Sequence, residues 1–159
     1  MAKKSKQSKT LPIYILNGPN LNLLGHREPE VYGTTTLAQI EAMCARQAKE
    51  HGLSIVFRQS NREGEIVDHL QEARTAGAAV IINPAGYGHT SIAILDSIQA
   101  LTIPVIEVHL SNIHRREPYR NHSYVSKGAT GIVMGLGAQG YLRAVDAVAE
   151  ILSSKSRSK

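Results

Sequence analysis

Short, mostly apolar runs punctuate this chain, and stretches of helical period fill the gaps between them. The runs are Leu11–Leu16, Leu53–Arg58, Ala78–Asn83, Ile103–Val108 and a shorter one at Gly131–Met134. A strand that is apolar on both faces must be covered on both faces, which is the condition of a parallel sheet held between helices. The intervening segments carry the matching pattern. In 36–51, Leu37, Ile40, Met43, Cys44 and Ala48 recur at three- and four-residue steps; Thr36 can cap this helix and Gly52 can end it. In 64–75, Ile66, Val67 and Leu70 do the same, with Gly77 closing the segment. A third helix is expected over 90–101. A last one is expected over 138–152, where Leu142, Val145, Val148, Ala149 and Leu152 share a face.

This rhythm predicts the α/β class: a flavodoxin-like three-layer sandwich with a five-stranded parallel sheet of order 2-1-3-4-5 and helices on both faces. The 159 residues suit one domain, and no internal repeat is visible. With no Trp and one Phe, the core must be built from Ile, Leu, Val and Ala. No run approaches the ~18 apolar residues of a membrane span. The lysine-rich start lacks the apolar stretch of a secretory signal. Cys44 is the sole cysteine and lies on an apolar helix face, which excludes an internal disulfide and fits a reducing, cytoplasmic setting.

The net charge of +5 resides in the ends. Residues 1–10 hold four lysines and 153–159 hold Lys155, Arg157 and Lys159, with no acid in either segment; without these seven, 11 basic and 13 acidic residues remain. The body is therefore slightly acidic, which argues against a specific nucleic-acid partner. The division expected is a disordered basic tail over 1–10, one catalytic domain over 11–152 and a second disordered basic tail over 153–159.

Open parallel sheets bind ligands beyond the C-terminal ends of their strands. Here those ends carry the polar chemistry. The first strand leads into Asn17-Gly18-Pro19-Asn20 and a long segment through Gly33 that bears Arg27, Glu28 and Tyr32. A loop of that length is uncommon unless it serves as a lid or binding loop. A guanidinium near a phenol favours the phenolate, one route to a base from a tyrosine. The third strand ends in Asn83, followed by His89, Thr90 and Ser91; the fourth ends in Glu107 and His109, followed by Leu110, Ser111 and the arginines Arg115, Arg116 and Arg120. Such a rim suits a small, hydroxylated, anionic ligand.

Simpler readings compete. Asparagines at strand ends can just cap turns. His114 and His122 sit in a polar loop where solvation or local bonding would satisfy them. The histidines at 89, 109, 114 and 122 lack the tight spacing of a metal site, so no metal is expected. Gly135-Leu136-Gly137-Ala138-Gln139-Gly140 matches G-x-G-x-x-G between a strand and a helix, but no further strand with an acid follows, so the glycines are read as a tight turn. A phosphate loop for FMN would need hydroxyls and glycines where Pro19, Leu21, Leu23 and Leu24 stand. A phospho-receiver would need clustered acids where this chain has amides. No cofactor is expected, and a non-catalytic flavodoxin-like binding module is the weaker alternative.

Five segments in order carry a specific resemblance: Asn-Gly-Pro-Asn-Leu-Asn-Leu-Leu-Gly from Asn17, Arg-Glu-Pro-x-x-Tyr-Gly from Arg27, His-Thr-Ser-x-Ala-x-x-Asp from His89, Glu-Val-His-x-Ser-Asn from Glu107, and Arg-Glu-x-x-Arg-x-His-Ser from Arg116. Over residues 11–152 the chain resembles type II 3-dehydroquinate dehydratase. That resemblance implies a lyase that dehydrates 3-dehydroquinate reversibly to 3-dehydroshikimate through an enolate, in the shikimate pathway of aromatic amino-acid biosynthesis or, alternatively, in quinate catabolism. It implies Tyr32 as the base, with Arg27 favouring its phenolate, and His109 as the acid oriented by Glu107. Asn20 would hold the enolate through water. Asn83 and the backbone N–H groups of Leu110 and Ser111 would hold the carboxylate, and His89, Arg120 and Asp96 the ring hydroxyls. Asp96 would come from a neighbouring subunit of a dodecamer built from trimers. Arg116 would lie near the site, and Glu28 would share the lid with Arg27.

The mechanism needs no Schiff base, and outside the tails the only lysines are Lys49 and Lys127, neither well placed for one. The chain departs from the family pattern after Asn83. Ala85 stands where a glycine is usual and Gly88 where a threonine is usual, so the turn before His89 is expected to be loosened. Pro118 is a milder departure.

Overall fold

The computed structural model describes residues 10–157. The expected tail over 1–10 thus lies outside the described residues, apart from Thr10. Five parallel strands, β1 (Ile13–Asn17), β2 (Ile55–Gln59), β3 (Ala79–Asn83), β4 (Val105–His109) and β5 (Gly131–Met134), form one sheet of order β2-β1-β3-β4-β5. This is the order and class read from the sequence. The register aligns Asn17 at the end of β1 with Asn83 at the end of β3, and His109 at the end of β4 with Met134 of β5. The polar strand ends therefore share one edge.

Alternate side chains of each central strand go to opposite layers. Ile13, Ile15, Ala79, Ile81, Ile106 and Val108 pack with Ile40, Cys44 and Ala48 of α2 (Leu37–Glu50) and with Tyr141, Ala144, Val145 and Val148 of α5 (Gln139–Arg157). Tyr14, Leu16, Val80, Ile82 and Val105 pack with Ile66 and Leu70 of α3 (Glu63–Ala76) and with Ile94 and Ile98 of α4 (Ile92–Gln99). The short α1 (Pro29–Tyr32) breaks the long segment after β1. Burial at this level, roughly 25 cal/mol per Å² of apolar surface, is what drives such a sandwich together.

Helix starts follow local chemistry. Thr36 and Gln39 form a reciprocal capping box on α2, worth about 1 kcal/mol. Ser91 accepts from the Ile94 N–H and starts α4 two residues later than the sequence suggests, because Ala85–His89 form a 3₁₀ turn instead. The other end of the chain needs a larger correction. A disordered tail was expected from residue 153, yet α5 continues to Arg157. Half-buried Ile151 and Leu152 anchor its last turns, and Lys155 and Arg157 complement the negative end of the helix dipole.

The turn after β3 is also tighter than expected. Gly88 is buried, its carbonyl accepts from the Tyr124 N–H at 2.8 Å, and a Cβ there would stand 2.9 Å from Pro84 Cγ and 3.2 Å from Ser123 Oγ. Gly88 therefore permits close packing and does not loosen the turn. Opposite it, a Cβ on Gly18 would lie 2.3 Å from the Pro84 carbonyl oxygen, a backbone atom that cannot swing away. Ala85 occupies the left-handed region at φ 51°.

Two substitutions test this crossing of the β1 and β3 ends. Gly18→Ala is expected to destabilise the fold by ~1–3 kcal/mol, the usual cost of overpacking. Ala85→Gly is expected to stabilise it by roughly 0.5–1 kcal/mol, since relief of the left-handed alanine exceeds the extra unfolded-state freedom. Denaturant midpoints at constant slope measure both, and a destabilised Ala85→Gly would refute the strain.

Candidate active site

Beyond the C-terminal ends of β1, β3 and β4 the chain encloses a cavity of about 180 Å³. Its wall combines Asn20, Arg27 and Tyr32 from the segment after β1, Asn83 and His89 from β3 and its turn, and His109, Leu110, Ser111, Arg116 and Arg120 from β4 and the loop after it. Among the described residues three arginines and two histidines face this space, and no carboxylate does. The field inside therefore suits an anion.

Tyr32 ends α1, half-buried, with its phenol oxygen accepting from Arg116 Nη1 at 2.9 Å. The Arg116 guanidinium carbon lies 5.4 Å from the Tyr32 ring centre. Arg27 lies further from the hydroxyl chemistry: its guanidinium is 5.9 Å from the same ring centre, and its Nε pairs with Glu28 Oε2 at 3.3 Å. The expectation from sequence sets Arg27 beside the phenol and Arg116 only near the site; in the structure the hydrogen bond comes from Arg116. The partner is 84 residues away, brought in by the fold. Glu117 braces Arg116 and Arg120, its Oε2 lying 3.6 Å from Arg116 Nε and 3.4 Å from Arg120 Nε.

His109 and Glu107 project from the same face of β4, two residues apart. His109 Nε2 donates to Glu107 Oε1 at 2.6 Å, which leaves Nδ1 as its remaining ring nitrogen. The Glu107 carboxylate is fully buried and also accepts from the hydroxyls of Ser123 and Ser126. Burial by itself pushes its carboxyl pKa up. The His109 bond and charge and the two hydroxyls outweigh that, so the net shift is downward from the ordinary carboxylate value. Ser123 closes the last sequence motif without an assigned role and Ser126 does not stand out there, because both lie in a loop that returns to β4 only in three dimensions.

His89 stacks 6.4 Å from His109, and its Nδ1 donates to the His122 carbonyl at 2.7 Å. His122 Nε2 returns a bond to the His89 carbonyl, and His114 Nδ1 donates to the Asn121 carbonyl. Burial lowers the His89 pKa below the ordinary imidazole value. The His122 carbonyl opposes this, and the charges of His109, Arg120 and His122 add to it. His89 is thus a neutral ring whose Nε2 can accept a hydrogen bond. Asn20, left-handed at φ 67°, is pinned by its N–H to Asn61 Oδ1, and Gln59 Nε2 donates to the same oxygen. Asn83 is almost wholly buried and bonds to Tyr141, a residue sequence reasoning did not single out.

Two residues assigned to the site lie apart from the wall. Asp96 is exposed on α4, and Glu28 pairs with Arg27 in the segment after β1. The glycines of the G-x-G-x-x-G segment instead brace the site from behind: the Gly135 N–H donates to the His109 carbonyl and the Gly137 N–H to the Leu110 carbonyl. Gly135 and Gly137 both have positive φ, as a tight strand-to-helix turn requires.

Glu107 yields a pH-dependent test. Its folded pKa is depressed, so its contribution to stability is present above the unfolded value of ~4.3 and is lost as pH falls through the folded value. Glu107→Gln should be less stable than wild type at neutral pH, with the difference shrinking as pH falls below the unfolded carboxyl value and through the depressed folded one. Denaturant midpoints across that range decide it; a constant difference would mean that the buried carboxyl is not ionised.

Comparison with known proteins agrees with the geometry. The model of the family "Dehydroquinase class II" matches residues 11–149. A 3-dehydroquinate dehydratase of Streptomyces coelicolor is 56% identical over 146 residues, covering 91% of this chain and 93% of that protein. One of Caulobacter sp. is 58% identical over 143 residues, covering 90% and 97%. The crystal structure of type II dehydroquinase from Propionibacterium acnes superposes with a TM-score of 0.85 at 42% identity, covering 89% of this chain and 97% of that one. A family match over nearly the whole domain, relatives covered over almost their full length and the same fold lead to one conclusion: this chain belongs to the class II dehydroquinase family.

Proposed function

We propose that this protein is a 3-dehydroquinate dehydratase that works through an enolate, with Tyr32 as base and His109 as acid. The observation that supports it best is the Arg116 guanidinium on the Tyr32 oxygen, in a cavity that also holds the His109–Glu107 pair. Negative charge on that oxygen has a cation against it, as a proton acceptor needs.

In this reading Tyr32 takes a proton from C2, next to the C3 ketone. The released electrons move to the ketone oxygen and form the enolate, which Asn20 steadies through water. The enolate then collapses to a C1–C2 double bond as the C1–O bond breaks. His109 gives its proton to the departing hydroxyl, so the leaving group is water. Glu107 holds the imidazole in orientation and stabilises its charged form before that transfer. Arg27 and Arg116 balance the charge that moves from phenolate to enolate. Asn83 and the Leu110 and Ser111 backbone hold the carboxylate, and neutral His89 and Arg120 take ring hydroxyls. Lysine has no part, and neither metal nor nicotinamide is required. The reaction is that of the shikimate route to aromatic amino acids.

Asp96 fits this scheme only through assembly. It is exposed on α4 and absent from its own chain's cavity wall, so its carboxylate would complete the site of a neighbour in a dodecamer of trimers.

The enone product absorbs in the ultraviolet and the substrate does not, which gives a direct assay. Wild type should form the enone and be indifferent to borohydride. Tyr32→Phe should bind substrate and lose nearly all turnover; retention of more than about a tenth of kcat would reject Tyr32 as the base. Arg116→Ala and Arg27→Ala should each lower kcat on the order of 10²–10³, as loss of charge stabilisation does, with lysine rescuing only partly because the planar fork is gone.

Assembly has its own test. Sedimentation at assay concentration should find a large oligomer, and Asp96→Ala should impair activity without dissociating it. A fully active monomer would contradict the intersubunit role.

A further inference from the structure

Tyr141 is a fully buried phenol that the mechanism above does not use. It lies on α5 beneath the ends of β1 and β3. Its hydroxyl donates to Asn17 Oδ1 at 2.7 Å and accepts from Asn83 Nδ2 at 3.0 Å. The chain of bonds extends at both ends. Asn17 Nδ2 donates to the Arg58 carbonyl at 3.0 Å, and Asn83 Oδ1 accepts from the Ala85 backbone N–H at 3.2 Å.

The two termini of this chain are backbone groups with fixed roles. The Ala85 N–H can only donate and the Arg58 carbonyl can only accept. Every bond between them must therefore run in one direction, from Ala85 through Asn83, Tyr141 and Asn17 to Arg58. A flipped Asn83 would set its NH₂ against the Ala85 N–H and leave its oxygen at the phenol, whose own proton already goes to Asn17. Burial pushes the Tyr141 pKa far above the ordinary phenol value, against a smaller opposing pull from the Asn83 bond, so the hydroxyl keeps its proton.

One group is left over. An amide nitrogen carries two N–H bonds, and Asn83 uses one on Tyr141. Asn83 forms part of the cavity wall, and its second N–H is the polar group it has to offer a ligand. We propose that Tyr141 is a positioning residue for the reaction: its hydroxyl fixes the Asn83 amide so that an N–H, and never the carbonyl oxygen, is presented to the substrate. The ligand atom placed there must be an acceptor, as a carboxylate oxygen is, and a hydroxyl held only as a donor is refused. This inference rests on the dehydratase reading and deepens it.

The test uses the full-length protein and 3-dehydroquinate, well below the melting temperature of each variant. Tyr141→Phe removes only the hydroxyl. Its KM should rise by about tenfold with kcat changed by less than about threefold, the pattern of lost ground-state binding. In an Asn83→Ala background the same substitution should change kcat/KM by less than about twofold, because the effect passes through Asn83. Asn17→Ala supplies a second route should Tyr141→Phe fold poorly. It keeps the phenol but frees its proton to turn toward Asn83, and it should raise KM similarly, again only when Asn83 is present. An unchanged KM in both variants, or equal losses with and without Asn83, would overturn the proposal. Wild type that fails to convert 3-dehydroquinate would instead sink the dehydratase reading.

Discussion

The arrangement of the site depends on one buried charge. Glu107 stands in the interior of β4, where its neighbours Ile106 and Val108 are apolar and where an unpaired carboxylate would be intolerable. It survives because His109 and the hydroxyls of Ser123 and Ser126 surround it. Satisfying that charge draws the loop after β4 back across the sheet edge. The same loop carries Arg116 and Arg120, and the Gly88 carbonyl bonds to the Tyr124 N–H within it. Neutralising one acid thus fixes the imidazole, two guanidiniums and the turn that bears His89.

Charge balance around the cavity follows a related logic. The acids lie behind or beside the wall: Glu107 behind His109, Glu117 against Arg116 and Arg120, Glu28 against Arg27. Each carboxylate holds a cationic or ionisable group in place while leaving the space in front of it positive. The body of the chain can therefore be slightly acidic and still present a strongly cationic pocket. Net charge would have misjudged this ligand, whereas the placement of each pair predicts it.

Much of this was legible in the linear sequence. Parallel strands covered on both faces announce themselves as apolar runs, and the strand ends then locate Asn83, Glu107 and His109 on one rim. What escaped was contact between distant segments. Nothing near Tyr32 distinguishes Arg27 at five residues' distance from Arg116 far along the chain. Tyr141 falls in the apolar stripe of α5 with Ala144, Val145 and Val148, so its hydroxyl was hidden by the packing role of its ring. The end of α5 was misjudged because a Ser/Lys segment reads as solvated, although two half-buried residues and a favourable dipole are enough to carry the helix to Arg157.

The hydrogen bond between Tyr32 and Arg116 joins two loops that are independent in sequence, one hinged on β1 and one on β4. Were the segment bearing Tyr32 to swing outward, the phenol and its cation would separate. In the mechanism proposed, an unlatched pocket has no armed base, and deprotonation is confined to molecules already enclosed. Stray ketones in bulk solvent would thereby be spared, and the reactive enolate would form only inside the enclosed site.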